Sequence, residues 1–375
     1  MSEKVRRARL ARGWSQNRLI REIEEYAERK ALAIVTRASL RVYVSDWENG
    51  RRSVSAPYTA ILRSVLGMTD EELFGGSPPQ VLTVDGYDEL VTHIENAHSV
   101  SQAVVETLER QTELLRTLDR QMGAAQLVDQ MGAHINTLNE ALTFAVLPSS
   151  RQPVAEALAG AASLAAWQAL DVGAVDRAWR NYELAKTAAR EAEQPKYLVH
   201  AMGEQAYVLA DAGKPELALQ LVTEAIRLGG DKIPPRLVAW LLAAEAEFQA
   251  LNGNASDCRT SLDKAATALP DDDLLRDPDM PSIFLTDDHL TRWRGHTLAL
   301  LGDGDAVADL YAALDGMDKT FTRAEAGVRC NLAEAHLIRK EYGEAKSHLQ
   351  KARLLANRTG SIRHRRRIDR LNGQL

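Results

Sequence analysis

The sequence predicts an all-α protein in which a small N-terminal helical domain precedes a helical hairpin and an α-solenoid of stacked helix pairs. Three observations support this fold class. Five stretches repeat one spacing of small and large residues, an apolar heptad pattern follows position 90, and helix start and stop signals crowd the first 67 positions. With 375 residues, 45% of them hydrophobic, and a net charge of −6, the chain is expected to fold into more than one domain.

The five repeated stretches share one order of residues. A small residue, which allows close helix approach, is followed by a helix-ending Gly or Lys and by three positions at i, i+4 and i+7. Corresponding positions recur about 40 residues apart, with one longer step. The sets are Ala166, Gly173, Ala178, Tyr182, Ala185; Ala206, Gly213, Ala218, Val222, Ala225; Ala246, Gly253, Cys258, Leu262, Ala265; Gly295, Gly302, Val307, Tyr311, Leu314; and Ala333, Lys340, Ala345, Leu349, Ala352. Each set predicts one helix pair.

Charge is distributed unevenly along the chain. Residues 1–63 hold 14 Lys and Arg against 7 Asp and Glu, whereas the other 312 residues hold 32 against 45. A basic, compact N-terminal segment is the electrostatic pattern expected of a domain that meets phosphate. Cap and stop residues predict four helices there, at 5–12, 16–27, 40–48 and 57–66, the third capped by Ser39.

Three runs in this segment, 10–16, 39–52 and 66–75, resemble the Xre/Cro-type helix-turn-helix of bacterial transcriptional regulators. The string Ser-x-Trp-Glu-x-Gly-x-Arg, residues 45–52, is the specific part of the resemblance. The chain departs from the phage repressors by about ten additional residues between the second and third helices. The repeats resemble elongated tetratricopeptide repeats, and the combination is similar in architecture to the peptide-pheromone receptors. The resemblance implies binding to a double-stranded DNA operator.

By this resemblance, Leu40, Val44 and Trp47 face the core of the domain and the remaining face of the third helix meets DNA. A guanidinium at Arg41 can bind guanine, Val42 can contact a thymine methyl group, and Asp46 can accept from cytosine. The predicted DNA contacts are Gln16, Ser39, Arg41, Val42, Ser45, Asp46, Asn49, Arg51 and Arg52. Gln16, Asn49 and the last two arginines are expected to hold the DNA backbone. The alternative for each arginine is a solvated surface charge, and Glu48 is expected to pair internally or to cap.

Domain boundaries follow from breaker residues and from the heptad pattern. We predict a DNA-binding head at 1–75, a linker at 76–87, a helical hairpin at 88–148, five repeats at 149–360 and a basic C-terminal helix at 361–375. The hairpin begins with one long helix from Leu90 to Met122, turned by Gly123. It either docks on the first repeat or forms a subunit interface. A homodimer is expected in both cases, because one recognition helix covers only a half-site.

The first helices of stacked pairs form an extended surface that is suited to binding peptides or partner segments. The repeat register predicts that this surface carries Trp167, His200, Tyr207, Trp240, Glu247, His289, Arg292, His296 and Glu334. Aromatic rings mixed with both charge signs favour a peptide or small-molecule ligand. The alternative is ordinary packing between neighbouring repeats.

Other chemistry is not indicated. The chain lacks phosphate-loop, zincin, Cys-x-x-Cys and nucleophile-elbow motifs, so we expect neither an enzyme nor a cofactor. His289 and His296 lack an identifiable third metal ligand, and Cys258 and Cys330 are expected to be buried thiols. An exposed acidic loop is expected at 270–281. The C-terminal arginines are expected to cap the solenoid with a polar outer face or to add a DNA contact.

These patterns lead to the hypothesis of a cytoplasmic, sequence-specific transcriptional regulator with no membrane partner, controlled by a peptide or small-molecule ligand in the repeats. A repressor is favoured over an activator, because an operator-bound dimer can block polymerase without further contacts. Two alternatives are a scaffold protein whose head does not bind DNA and a DNA-binding protein whose repeats only dimerise it.

Overall fold

The computed structural model describes residues 2–30, 32, 34–49, 54–67, 86–272, 274, 276–277, 279–304, 306–318 and 320–375. Within these ranges the chain forms helices joined by turns, and its only strand-like pairing is an isolated bridge between Arg276 and Phe284. The predicted all-α class is therefore confirmed. None of the described helices is both long and apolar enough to cross a membrane. The chain divides into two compact units, residues 1–91 and 92–375.

The first unit contains a head of four helices, α1 (Ser2–Ala11), α2 (Gln16–Arg29), α3 (Arg37–Glu48) and α4 (Ala56–Leu66). Apolar side chains at helical spacing on α2, α3 and α4 meet in one core, which α1 joins through Val5. Leu40, Val44 and Trp47 are at most 2% exposed, so their predicted inward direction is confirmed. Fixing these three residues inside leaves the opposite face of α3 outside.

Helix α3 begins earlier than the sequence suggested. The predicted start at Leu40 with Ser39 as cap is wrong, because α3 starts at Arg37 and Thr36 is the cap. The hydroxyl of Thr36 accepts from the backbone N–H of Ser39 at 3.4 Å, which satisfies one of the free amides of the first turn. The predicted cap of α2 is confirmed, since Ser15 accepts from the N–H of Arg18 at 3.2 Å.

The expected long helix of the hairpin is two helices, α5 (Gly86–His98) and α6 (Gln102–Met122). At the break, the Ser99 hydroxyl donates to the carbonyl of Asn96 at 2.7 Å, which is the local bonding by which serine competes with helix continuation. The predicted seam is also discontinuous, because Val104 is 42% exposed while Val105 is buried.

Gly123 turns the chain, with φ +87°, into α7 (Val128–Phe144) through a short 3₁₀ turn. Apolar residues of α6 and α7 share a core with α8, the first helix of the repeats. Within one chain, therefore, the hairpin is docked on the first repeat.

The repeats form five consecutive helix pairs and a final helix. The pairs are α8 (Pro148–Asp171) with α9 (Val175–Glu191), α10 (Pro195–Asp211) with α11 (Pro215–Gly229), α12 (Pro235–Leu251) with α13 (Ala255–Ala268), α14 (Asp287–Leu300) with α15 (Ala306–Asp315), and α16 (Thr322–Ile338) with α17 (Tyr342–Thr359), followed by α18 (Ile362–Asn372). This arrangement is the predicted α-solenoid, with one pair for each set of repeated residues.

The turn inside each pair has a left-handed residue where the repeat places Gly or Lys. The four glycines have φ between +74° and +79°, and Lys340 has φ +60° in the fifth pair. Close approach at the small position is visible in the fourth pair. A Cβ on Gly295 would lie 2.8 Å from the Leu310 side chain, so α14 and α15 can meet only with glycine there.

The repeat array curls until its last helices reach its first. Arg323 of α16 pairs with Asp119 of α6 at 2.6 Å, and the Ser361 hydroxyl donates to Asp171 of α8 at 2.6 Å. Gly123, at the end of α6, lies so close to Thr359 that a Cβ would overlap it. The two ends of the second unit are thus in direct contact.

The segment between α13 and α14 differs from the exposed acidic loop that was expected. Met280, Ile283 and Leu285 are buried in the repeat core, and Asp277 is only 4% exposed. The Asp277 carboxylate accepts from the N–H groups of Asp279 and Met280 at 2.9 and 3.0 Å. Because its charge satisfies the loop's own backbone, this aspartate stabilises a docked segment. The expected buried, unpaired state of Cys258 and Cys330 is confirmed.

Candidate functional site

The exposed face of α3 holds most of the predicted DNA contacts. Arg41, Val42 and Asn49 are exposed, and Ser39, Ser45 and Asp46 are half-buried. Val42 is 57% exposed. Asn49 is committed to its own helix, because its amide donates to the carbonyl of Ser45 at 2.8 Å. Arg51 and Arg52 lie outside the described residues.

A buried charge cluster holds the end of α3 against α1 and the start of α2. Arg9 binds both carboxylate oxygens of Glu48, at 2.6 and 2.9 Å, and Gln16 donates to the same carboxylate at 2.7 Å. Burial raises the pKa of Glu48, but the hydrogen bonds from Arg9 and Gln16 lower it by more, so the pKa lies below the ordinary value. The expected internal pairing of Glu48 is confirmed.

This cluster also changes how Gln16 can act. Its amide nitrogen is bound to Glu48, so the side chain is oriented before any DNA is present. The earlier start of α3 adds two exposed residues that were not predicted, Arg37 and Ala38, and Arg37 pairs with Glu24 at 3.0 Å. Local sequence did not identify Thr36 as the cap, because Ser39 is an equally suitable cap residue.

In the repeats, three predicted ligand residues from successive first helices meet at one carboxylate. Glu247 of α12 accepts from Tyr207 of α10 at 3.0 Å and from Trp293 of α14 at 2.8 Å, and it lies 3.2 Å from His296 Nε2. Burial raises the pKa of Glu247, but His296 and the bond from Trp293 outweigh it and bring the pKa to about 2. The carboxylate is therefore charged at neutral pH. We call the face of α8, α10, α12, α14 and α16 that carries these residues the repeat interior.

Other predicted residues surround this carboxylate at ring-contact distance. The Trp167 ring lies 5.9 Å from that of Tyr207, and Trp240 lies 5.3 Å from His200 and 6.1 Å from Trp293. Trp293 was not among the residues expected from the sequence. It lies on the same face of α14 as His289 and His296, at the intermediate position of that helical stripe.

His289, Arg292 and Glu334 are less directly connected to this group. The Nδ1 atom of His289 lies 2.7 Å from the Thr286 hydroxyl, and burial lowers the pKa of His289 to about 3. Glu334 of α16 pairs with Arg367 at 2.7 Å. The described residues contain no cluster of three or more His, Cys, Asp or Glu side chains suited to a metal ion.

The C-terminal helix has the expected polar outer face, and in addition one of its arginines reaches the repeat interior. Arg363 binds both oxygens of Asp211 at 2.6 and 3.1 Å and lies 5.3 Å above the Trp167 ring. Its side chain follows the apolar positions of α18 inward because Ile362, just before it, packs against Gly173. Arg366 and Arg370 remain exposed on the other face of α18.

The fold and these contacts define an α-solenoid with an aromatic, charged interior and a separate four-helix head. No family model and no curated protein matches the chain. Among solved structures, a Rap protein complexed with Competence and Sporulation Factor is 11% identical over all of both chains, with a TM-score of 0.45. PlcR of Bacillus thuringiensis, in complex with the peptide PapR7 and DNA, is 10% identical over 95% of both chains, with a TM-score of 0.27. A function for this chain must therefore come from its own residues.

Proposed function

We propose that this protein is a sequence-specific DNA-binding transcriptional regulator whose repeat interior binds a peptide or small-molecule ligand that controls operator binding. The observation that carries the proposal is that α3 has one buried face and one exposed face. One face of this helix is locked into the head by Leu40, Val44 and Trp47, while Arg41 and Val42 project from the other face in a basic segment. A fixed helix with outward arginine and apolar side chains suits a DNA major groove.

The repeat interior supports the ligand part of the proposal. Tyr207, Glu247 and His296 come from three different helix pairs, so a ligand that replaces any of their mutual bonds contacts several repeats at once. Such a ligand favours one curvature of the array over another. In a homodimer, that curvature would set the distance between two heads, which must match half-sites about 34 Å apart. Repression remains the favoured sign, because bound dimer excludes polymerase.

Selection of bound genomic DNA fragments by the purified full chain tests the proposal, at one fixed salt concentration and with Arg41→Ala in parallel. We expect an inverted repeat to be enriched by the wild-type protein and lost in the variant. A matched control is Arg21→Ala, which removes an exposed arginine from α2 of the same head. Equal enrichment by all three proteins, or none, would favour the scaffold hypothesis.

A further inference from the structure

Helix α6, helix α14 and the segment before α14 bring several cationic side chains around one aromatic ring. The Arg120 guanidinium lies 4.9 Å from the centroid of the Phe284 ring, and that of Arg276 lies 6.0 Å from it. The ring of His289 contacts Phe284 edge-on at 4.9 Å. Arg292 stands one helical turn after His289 on α14.

The neighbouring arginines of this cluster already have carboxylate partners. Arg116 pairs with Glu113 at 3.0 Å, and Arg276 lies 3.8 Å from the same carboxylate. Arg323 pairs with Asp119 at 2.6 Å. The carboxylates of Glu113 and Asp119 are thus already paired with these three arginines.

Arg120 and Arg292 are different. Across the ranges that the structure describes, neither side chain has a hydrogen bond or an ion pair, and both are half-buried. The surroundings of Arg120 are mainly positively charged. Burial, followed by the repulsion of Arg116 and Arg276, lowers the pKa of Arg120 to about 10. Burial lowers the pKa of Arg292 in spite of the nearby Glu247.

The imidazole of His289, which lies near both arginines, adds no charge to this region at neutral pH. His289 is neutral, because burial and the charges of Arg292 and Arg120 lower its pKa to about 3. Half-buried guanidinium groups without partners attract oxyanions, which they can bind through paired N–H donors.

We infer that Arg120 and Arg292 form an anion subsite of the repeat interior, which receives a carboxylate or phosphate group of the ligand. The inference rests on the proposed function in one respect, since it takes the repeat interior as the place where a ligand binds. It specifies the chemistry of that ligand: at least one end carries an oxyanion that enters beside Phe284 and His289. A ligand with only cationic or apolar groups would leave both guanidinium groups without partners.

Thermal unfolding of the full chain tests this subsite with two probes, pyrophosphate for phosphate groups and citrate for carboxylates, each against sodium chloride at the same ionic strength. We expect a saturable rise in melting temperature for the wild type. In Arg120→Gln and Arg292→Gln the apparent affinity should fall at least tenfold, which corresponds to about 1.4 kcal/mol. Arg120→Lys should lie between, because lysine keeps the charge and loses the paired donors.

The matched control is Arg177→Gln, which removes an exposed arginine from α9 and should bind the probes like the wild type. This control is needed because such anions also stabilise proteins through general exclusion from their surface. Without probe, Arg120→Gln should melt no lower than the wild type, since it removes an uncompensated charge. Saturation by one probe alone identifies the source of the oxyanion.

Equal probe affinity in the wild type and in both Gln variants would overturn the subsite, and so would an equal loss in Arg177→Gln. The same preparations are assayed for Arg41-dependent DNA selection. DNA selection without an Arg120-dependent anion effect overturns the subsite alone. An Arg120-dependent anion effect without DNA selection overturns the regulator and leaves the subsite in place.

Discussion

The head and the repeat interior present their candidate residues in opposite ways. In the head, Arg41 and Val42 project from α3, and the Arg41 side chain makes no hydrogen bond or ion pair with other described residues. The helix is held from behind by the buried Arg9 and Glu48. In the repeat interior, candidate residues such as Glu247 bind one another.

In the head, the residues proposed for recognition are therefore separate from those that stabilise the fold. In the repeat interior, the same residues serve both purposes. A substitution at Arg41 removes a surface group, and surface substitutions of this kind usually change stability by less than about 0.5 kcal/mol. A substitution at Glu247 leaves Tyr207, Trp293 and His296 without a shared acceptor. The ligand chemistry of the interior is therefore best probed at its unpaired groups.

The largest expected effect is at the charge pair behind α3. Glu48→Ala leaves the Arg9 guanidinium buried without a counter-charge, which should destabilise the head by about 4 kcal/mol. Hydrogen exchange resolved by peptide should show protection lost in α1–α3 and retained in the repeats. Glu25→Ala, which removes an exposed carboxylate from α2, is the control and should change little. Loss of protection in both units would contradict the expectation that Glu48 stabilises the head alone.

Acidification should lower the stability of the repeats and leave that of the head unchanged. Residues 1–67 contain no histidine, whereas burial lowers the pKa values of His200, His289 and His364 in the second unit to about 3. The unfolded chain takes up these protons near pH 6.5 and the folded chain does not, so stability falls as pH decreases below 6.5. Burial raises the pKa of Glu204 to about 8, so the folded chain keeps this proton and gains stability as the pH falls. This gain offsets roughly the loss from one histidine. From pH 6.5 to 5 these three histidines and Glu204 together should lower the stability by about 3 kcal/mol.

Peptide-resolved mass spectrometry during thermal unfolding at the two pH values measures this loss separately for head and repeats. His200→Gln should reduce the pH dependence of the repeats. His98→Gln, at an exposed position on α5, should leave it unchanged. An equal response of head and repeats to pH would show that the histidines do not control it.

A substitution at Arg41 tests DNA recognition without changing the stability of the head. Arg41→Ala should cost about 2 kcal/mol of binding free energy at an operator base pair, the value typical of a paired arginine–guanine contact. The melting temperature of the head should not change measurably. Competition binding at fixed salt with operator and with altered operators gives both affinity and specificity. A uniform loss across all sequences would assign Arg41 to the DNA backbone instead.

The sequence predicted the features that repeat and missed those that join distant segments. The helix pairs and their turns follow from short, periodic spacing, as at Gly173 and Gly213. The closure of the array depends on contacts such as Ser361 with Asp171, 190 residues apart, which no local pattern encodes. The inward turn of Arg363 depends on that closure, so it could not be predicted either.

The cap of α3 was missed for a different reason. Thr36 and Ser39 are both good cap residues, and the choice between them depends on where the preceding chain enters the helix. In the head, the Tyr58 hydroxyl accepts from the N–H of Val35 at 3.0 Å and fixes the chain just before Thr36. This tertiary contact selects the earlier cap.

The smallest expected effect is at the turn of the fifth pair. Lys340 has φ +60°, a left-handed conformation that costs a residue with a side chain about 1–2 kcal/mol. Lys340→Gly should remove this strain and, after the added entropy of the unfolded chain, stabilise the repeats by about 0.5 kcal/mol.

The reverse change, Gly213→Ala, should destabilise the repeats by a similar amount. A Cβ at Gly213 would meet no atom within 4 Å, so only the backbone conformation acts there. Chemical denaturation measures the change in the free energy of unfolding for both variants, and neither substitution should alter the stability of the head. If Lys340→Gly lowers stability, side-chain contacts of Lys340 outweigh its backbone strain, and the turn of the fifth pair is not equivalent to the other four.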